Sequence, residues 1–546
     1  METSEEGKFY MKQTGLPLSN YKFRFNGAIL RPFLLPDTSS RTMDISLAYK
    51  AENLSCGYLK VRCYDNTETL IRTDSATMNL QENRVALRLS IRNTKFVVVI
   101  IEAEGTENVK ELQALYLDSM DIMLDNKKYN AIENSDIKVS INRKEIISAR
   151  LGENLAFRNI KALGEKRIIA VGETVHGCSN FGKTFSEIMK HMVLNNNCKL
   201  VGFELSPDFL LKWNIFISEE TDFTFDDLVI EMEGVSLSPA LFFDMLLWLK
   251  EYNQSAEKKV RIFGMEPSAG TNRFSLPDYT HFYKQKSRDA IFDTLSTNIL
   301  REEYEKSLSL AENNPNIRHA VGDIEWQFLK HTLSKLNMAV VKKGTTFYFK
   351  SPFSQLLERD GRMFENVSRA ISLYLGEDEK ALIWTHNAHA TQSNLYLYPD
   401  HPLGYYLRQH YGNEYYNVGL LTGEGSFTAV SPKQSSGQLT ICQLPLPEKG
   451  SVEHVCMLTG YDYFFCPVEA LSKYALYLRY SGKAESTNQF YYRYLPKHMD
   501  AFIFEKRSEG FEIPDIWKNR DELIVTKNER YYKLLERNNF PRKRPK

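Results

Sequence analysis

The chain carries no surplus of charge: lysine plus arginine and aspartate plus glutamate both number 69. A balance of that kind supplies no electrostatic pull toward nucleic acid or an acidic membrane. Cysteine is scarce, with 7 residues in 546, and no C-x-x-C pair occurs. So few and so scattered a set argues against a disulfide framework and against a structural zinc site. A leader pattern is missing too, since M-E-T-S-E-E-G-K has neither a basic stretch nor an apolar one behind it. The longest apolar run near the start, F-V-V-V-I-I at 96–101, is far too short for a membrane span. The expectation is a soluble chain. Its compartment stays open: cytoplasmic as it stands, periplasmic or secreted if a signal has been removed. No G-x-S-x-G nucleophile elbow occurs, which argues against an ordinary serine hydrolase. Internal repeats and low-complexity segments are absent as well.

What is present falls into parts. Length allows more than one domain. Residues 20 to about 135 carry short β-like runs at close spacing, among them L-K-V-R-C-Y, V-A-L-R-L-S-I and F-V-V-V-I-I-E, with polar turns between. This pattern predicts a β-sandwich, jelly-roll-like, over 1–140. Carbohydrate contact is one role for such a domain and scaffolding another. From about 145 strands and helices alternate. Strands are predicted at 167–172, 199–204, 259–265, 380–385 and 415–421, and helices at 181–195, 208–217, 239–252, 281–312, 320–340, 353–374 and 403–411. Alternation predicts an α/β domain over 141–510 with a largely parallel sheet. The stretch 281–374 has helical pattern and little strand signal, so it reads as a helical insertion. Residues 511–546 form a C-terminal extension, and its basic P-R-K-R-P-K end reads as a solvated tail.

The chemistry gathers at predicted strand ends. R-I-I-A-V-G-E-T-V-H-G delivers Glu173 and His176. V-G-F-E delivers Glu204, the strand before 266 delivers Glu266, and I-W-T-H-N-A-H-A delivers His386 and His389. Ligands bind beyond the carboxyl ends of parallel strands, and carboxylates beside imidazoles are what general acid–base chemistry requires. Each residue alone has a plainer reading. A lone histidine after a strand is commonly a hydrogen-bonded structural residue, and Glu204 or Glu266 reads equally as a helix cap. The combination favours a site.

Two other motifs compete. Residues 177–184, G-C-S-N-F-G-K-T, match the phosphate-loop pattern. The strand ends four residues before the first glycine, and no apolar strand ending in aspartate supplies the magnesium partner, so the expectation is that this stretch binds no nucleotide. Cys178, beside a helix start and His176, reads as a packing residue rather than an activated thiol.

The motifs together resemble a known family. G-E-T-V-H-G resembles the G-E-x-x-H-G signature of the erythromycin esterase family, and V-G-F-E its second strand. E-R-D-G-R-M-F-E-N-V resembles its R-D-x-x-M-x-x-N helix, and W-T-H-N-A-H its W-x-H-N-x-H motif. L-G-Y-Y-L-R-Q-H-Y-G-N-E-Y-Y-N-V-G-L and P-L-P-E-K-G-S-V-E fit in order, so the resemblance covers roughly 150–507. It implies hydrolysis of an ester or lactone without a covalent enzyme nucleophile, with His176 as the base that activates water. Glu173, Glu204, His386 and His389 complete the implied catalytic set. Arg359, Asp360, Asn366 and Glu266 are the implied substrate-binding residues. Asn180 stands where the family usually has an acidic residue, and Phe185 where it usually has a basic one, so the implied substrate is not a macrolide. No cofactor is expected. The alternative is a divalent metal held by carboxylates and histidines, as in the remotely similar Tiki-like proteases. A further alternative, favoured by Asn180 and Phe185, is a binding or biosynthetic accessory protein on the same fold.

Overall fold

Residues 42–52 show how the N-terminal region folds: buried and partly exposed side chains alternate along the strand Thr42–Glu52, the mark of a strand with one face in a core. The computed structural model describes residues 2–3, 9–12, 24–28, 33–35, 41–106, 113–129, 139–149, 155–267, 274–344, 352–393, 401–430, 438–481 and 490–538. The basic tail at 541–546 lies outside them.

One antiparallel sheet runs in the order Glu2–Thr3, Phe9–Lys12, Ala114–Leu124, Thr42–Glu52, Arg84–Ser90. The other runs Arg24–Ala28, Phe96–Gly105, Leu54–Tyr64, Leu70–Thr77. Met43, Ile45 and Leu47 of the first meet Leu59, Val61 and Val99 of the second in one core. The strand Phe96–Gly105 does not alternate. Val97, Val99 and Ile101 face that core, while Phe96, Val98 and Ile100 pack against Tyr477, Phe490 and Tyr492 of the following domain. The run F-V-V-V-I-I is thus continuous because both of its faces are buried.

The α/β part is mixed. The strands of its main sheet are β1 (Ile147–Ala149), β2 (Ile168–Glu173), β3 (Cys198–Phe203), β4 (Arg261–Gly264), β5 (Lys380–His386), β6 (Tyr415–Val430), β7 (Leu439–Gln443), β8 (Tyr463–Pro467) and β9 (Ala501–Ser508). They lie in the order β1-β8-β9-β6-β2-β5-β3-β4, with β7 paired to β6. The run from β9 to β4 is parallel, and β8 and β1 extend it antiparallel. Strands β2 and β5 sit side by side in the middle and are buried along nearly all their length. Strand β6 runs nine residues beyond the predicted end at 421, because past the parallel ladder it turns to pair with β7.

Helices α1 (Ser179–Asn195) and α2 (Pro207–Ser218) follow β2 and β3. Between β4 and β5 the chain is helical. The single helix predicted over 281–312 is instead three pieces, Ser275–Ser287, Ile291–Leu300 and Tyr304–Asn313. The breaks fall at Arg288 and Glu302, both with positive φ, a left-handed state that ends a helix. Helix α3 (Pro352–Tyr374) closes this layer. The C-terminal extension packs back as α4 (Arg520–Arg537). Its Arg537 meets Asp278 at 2.6 Å and its Arg530 meets Glu231 at 2.5 Å.

Candidate active site

Strand β2 ends on Glu173, and the next four residues are held by backbone rather than by helix. Thr174 donates through its amide and hydroxyl to Leu420, the His176 amide donates to Ser481, and Val175 bridges Ser481. Two glycines make the turn feasible. A Cβ on Gly172 would lie 2.3 Å from Oδ1 of Asn387, so glycine lets the H-N-A-H turn press against β2. Gly177 has φ +80 and would meet the Thr428 carbonyl at 2.0 Å if it carried a side chain.

The parallel ladder then sets the neighbours. Glu173 is in register with His386. The His176 ring lies over the His386 ring, centroids 4.4 Å apart. Nδ1 of His176 meets Oε1 of Glu173 at 2.5 Å, which places the proton on Nδ1 and leaves the Nε2 lone pair toward the cleft. Burial pulls the His176 imidazole down, but the charge and hydrogen bond of Glu173 outweigh it and the net shift is upward. Burial also lifts Glu173, and the neighbouring His176 only partly offsets it. The pair therefore holds a proton more firmly than an isolated histidine.

Glu204, immediately after β3, reaches across to β5. Its Oε2 accepts from the Thr385 hydroxyl at 2.7 Å and the His386 amide at 2.9 Å. Its Oε1 accepts from Arg359 of α3 at 2.7 Å. Burial works against its charge, yet His389, Arg359 and His176 hold it well below the usual carboxylate range. Arg359 also donates through Nε to Glu266 at 2.8 Å and through Nη1 to Nε2 of His389 at 2.8 Å. Asp360 faces Nδ1 of His389 at 2.8 Å and accepts from the Leu403 amide. His389 thus stands between Asp360 at Nδ1 and Arg359 at Nε2; burial and Arg359 pull its imidazole down, but Asp360 and Glu204 outweigh them and the net shift is upward. His386 accepts the Ala388 amide at Nδ1, and burial, then His176, push its imidazole well below the ordinary value.

A cavity of about 320 Å³ opens onto this edge of the sheet. Glu173, His176, Glu204 and Glu266 line it, with an apolar wall of Phe209, Met232, Val235, Leu237 and Trp384. His386 and His389 were expected to line it and do not appear among its lining residues; they stand behind His176 and Arg359. Asn366 was expected to bind substrate. Its amide donates to the Met265 carbonyl at 3.0 Å and its oxygen meets His331 at 2.8 Å, which fixes α3 to the end of β4. Of the apolar wall, Met232, Val235 and Leu237 escape the sequence reading. They lie in the loop M-E-G-V-S-L-S at 232–238, whose hydrophobic residues have no periodicity to place them.

Among the described residues no three His, Cys, Asp or Glu stand together in a metal-holding group. The physical reason lies in Arg359, whose guanidinium already occupies the space between Glu204, Glu266 and His389 and bonds to all three. A cation is built into the site as a side chain.

The competing motifs are absorbed by the fold. Residues 179–184 are helical, so the second glycine of the phosphate-loop pattern is inside α1 and Lys183 is exposed on its second turn. No loop of inward-facing amides forms there. Cys178 is buried, and burial followed by the charge of Glu173 pushes its thiol well above the ordinary value. Asn180 donates to Glu505 at 2.8 Å, beside Thr184 at 2.6 Å. Phe185 is fully buried between Trp384 and Phe203, ring centroids 4.6 and 5.7 Å away.

Residues 241–508 match the family model described as erythromycin esterase. The matched span contains Arg359, Asp360, His386 and His389 and begins after Glu173, His176 and Glu204. No curated protein matches the chain. Among solved structures, a Bacillus cereus protein is 18% identical with TM-score 0.53, over 68% of this chain and 97% of that one. A succinoglycan biosynthesis protein is also 18% identical, TM-score 0.52, over 68% and 97%. An erythromycin esterase mutant in its open conformation is 13% identical, TM-score 0.43, over 69% and 100%. At these identities the first two likenesses are of fold alone.

Proposed function

We propose, from the erythromycin esterase family to which residues 241–508 belong, that the chain hydrolyses an ester or lactone with water activated by His176. The observation that carries this reading is the 2.5 Å contact of Glu173 with Nδ1 of His176 at the wall of the cavity. It fixes the tautomer that leaves Nε2 as a proton acceptor. Water between that nitrogen and a carbonyl carbon gives up its proton as it attacks, and Glu173 stabilises the imidazolium that forms. The proton then passes to the leaving alkoxide. Arg359 helps keep Glu204 ionised beside the reacting centre and holds Glu266 by hydrogen bonds. The substrate is a small molecule whose apolar part rests on Phe209, Met232 and Leu237. The reading is tested by assaying the purified chain against nitrophenyl esters, simple lactones and a macrolide, with His176→Ala as the control; no turnover of any, or turnover indifferent to His176, ends it.

The accessory-protein reading draws on one observation. Phe185, at a position usually basic in the family, is sealed into the core and reaches no ligand. That reading predicts binding in the cavity without turnover, and the same assays separate the two.

A further inference from the structure

A glutamate of the N-terminal sandwich is buried inside the α/β domain. Glu68 lies in the turn between the strands Leu54–Tyr64 and Leu70–Thr77, is 6% exposed and has φ 56. A non-glycine residue persists in the left-handed region only where its surroundings impose it. The turn's own hydrogen bonds, with Asp65 accepting from the Thr67 and Thr69 amides, hold the backbone, and the other domain holds the side chain. Its carboxylate accepts from the Tyr494 amide at 2.8 Å, the Ser393 hydroxyl at 2.7 Å and Nε2 of His498 at 2.8 Å. Burial opposes the charge, but His498 and then Arg493 hold the group at about 2.

The contacts continue toward the cavity. With its proton on Nε2, His498 presents a lone pair at Nδ1, and the Tyr480 hydroxyl lies 3.1 Å from it. Thr391, also near Nδ1, has its hydroxyl donated to the Lys497 carbonyl at 2.8 Å, so Tyr480 is the donor. The Tyr480 oxygen accepts in turn from the Asn387 amide at 3.0 Å, and the Tyr480 ring lies 5.8 Å from the His386 ring. Asn387 presses on Gly172 of β2, and His386 lies on His176. The wall behind His176 is thus braced from the N-terminal domain through a buried polar chain that runs from Glu68 to Asn387, and a network with its members satisfied is rigid; the last step, to His386, is ring contact.

We propose that Glu68 is a positioning residue for the His386–His176 pair, so that the β-sandwich is a working part of the site. The kinetic part of this proposal rests on the hydrolase reading above; the structural part does not. The test uses the full chain labelled with nitrogen-15 at histidine, as wild type, Glu68→Leu and Glu68→Gln. Imidazole nitrogen shifts report the tautomer and surroundings of each ring with no substrate present. Glu68→Leu removes the acceptor and is expected to move the signals of His498 and, with them, those of His386 and His176. On a cleaved ester kcat should fall by about tenfold or more with little change in KM, as for a misplaced catalytic group. Glu68→Gln keeps an acceptor oxygen and should restore the His386 and His176 signals and most of kcat. Movement of His498 alone in a folded Glu68→Leu chain, with His386 and His176 unmoved, overturns the proposal. If that variant does not fold, Tyr480→Phe decides by the same signals, because it cuts the chain at its middle and keeps the ring. If the chain cleaves no ester, the ring signals alone decide.

Discussion

Arg359 and His389 face each other at 2.8 Å, the guanidinium donating and the imidazole accepting. The contact uses the Nε2 lone pair, so it competes with Asp360 and Glu204, which shift the imidazole upward. With Glu204 and Glu266 on its other edges, Arg359 holds together the ends of β3, β4 and β5. Arg359→Met is expected to leave two partly buried carboxylates without their counterion, at a cost below the about 3–5 kcal/mol of a fully buried pair. Adding Glu204→Gln and Glu266→Gln to that variant should recover part of the loss, read by denaturant titration. Chelators should leave both stability and activity unchanged, since the guanidinium holds the place of an ion.

His176 gives a prediction in pH. As a base it works only when neutral, and its net shift is upward from the ordinary 6.5. The rising limb of kcat/KM should therefore lie above that value, with activity lost as pH falls through it. Stability runs the opposite way. A group whose folded value is raised stabilises fully below its unfolded value and loses that contribution as pH rises through the folded one. Glu173→Gln removes the charge that lifts His176, burial then prevails, and the limb should move to lower pH. His176→Ala should cost roughly 10²–10⁴-fold in rate and should also lose the stability that His176 supplies at low pH.

Position 185 separates packing from chemistry. Phe185→Ala should cost about 3–5 kcal/mol as a core truncation. Asn180→Asp sets a second carboxylate against Glu505. It should destabilise by roughly 1–3 kcal/mol, and more as pH rises, because the two carboxylates then no longer share a proton. A chain stabilised by either change would show that these positions are not packed as described.

Lys183 supplies the simplest check. On the second turn of α1 and exposed, it should bear replacement by alanine without loss of stability or activity. Magnesium-dependent ATP binding that vanishes in Lys183→Ala would contradict the helical placement of 179–184.

These residues also show what a sequence can reveal here. The strand ends were legible because parallel strands read as short apolar runs and their last residues face one edge; Glu173, Glu204 and His386 follow from that rule. His386 and His389 share one motif, yet only the folded turn shows that one lies on His176 and the other on Arg359. Periodicity suggested one helix over 281–312, and nothing in it marks Arg288 or Glu302 as left-handed. Asn366 sits in a motif and serves to pin α3. Glu68 was invisible, being one acidic residue in the polar turn D-N-T-E-T, and its partners are more than three hundred residues away.

The strand Phe96–Gly105 has a bearing on how this chain can be cut. Because Phe96, Val98 and Ile100 cover Tyr477, Phe490 and Tyr492, a fragment beginning at residue 141 would leave an aromatic patch bare and strand His498 without its carboxylate. Such a fragment is expected to aggregate rather than fold as a minimal enzyme, and the sandwich on its own would present the matching sticky edge. The two halves are therefore not interchangeable modules that recombination can shuffle freely. Any rearrangement that keeps one must carry the other, or replace three large side chains on each side of the seam at once.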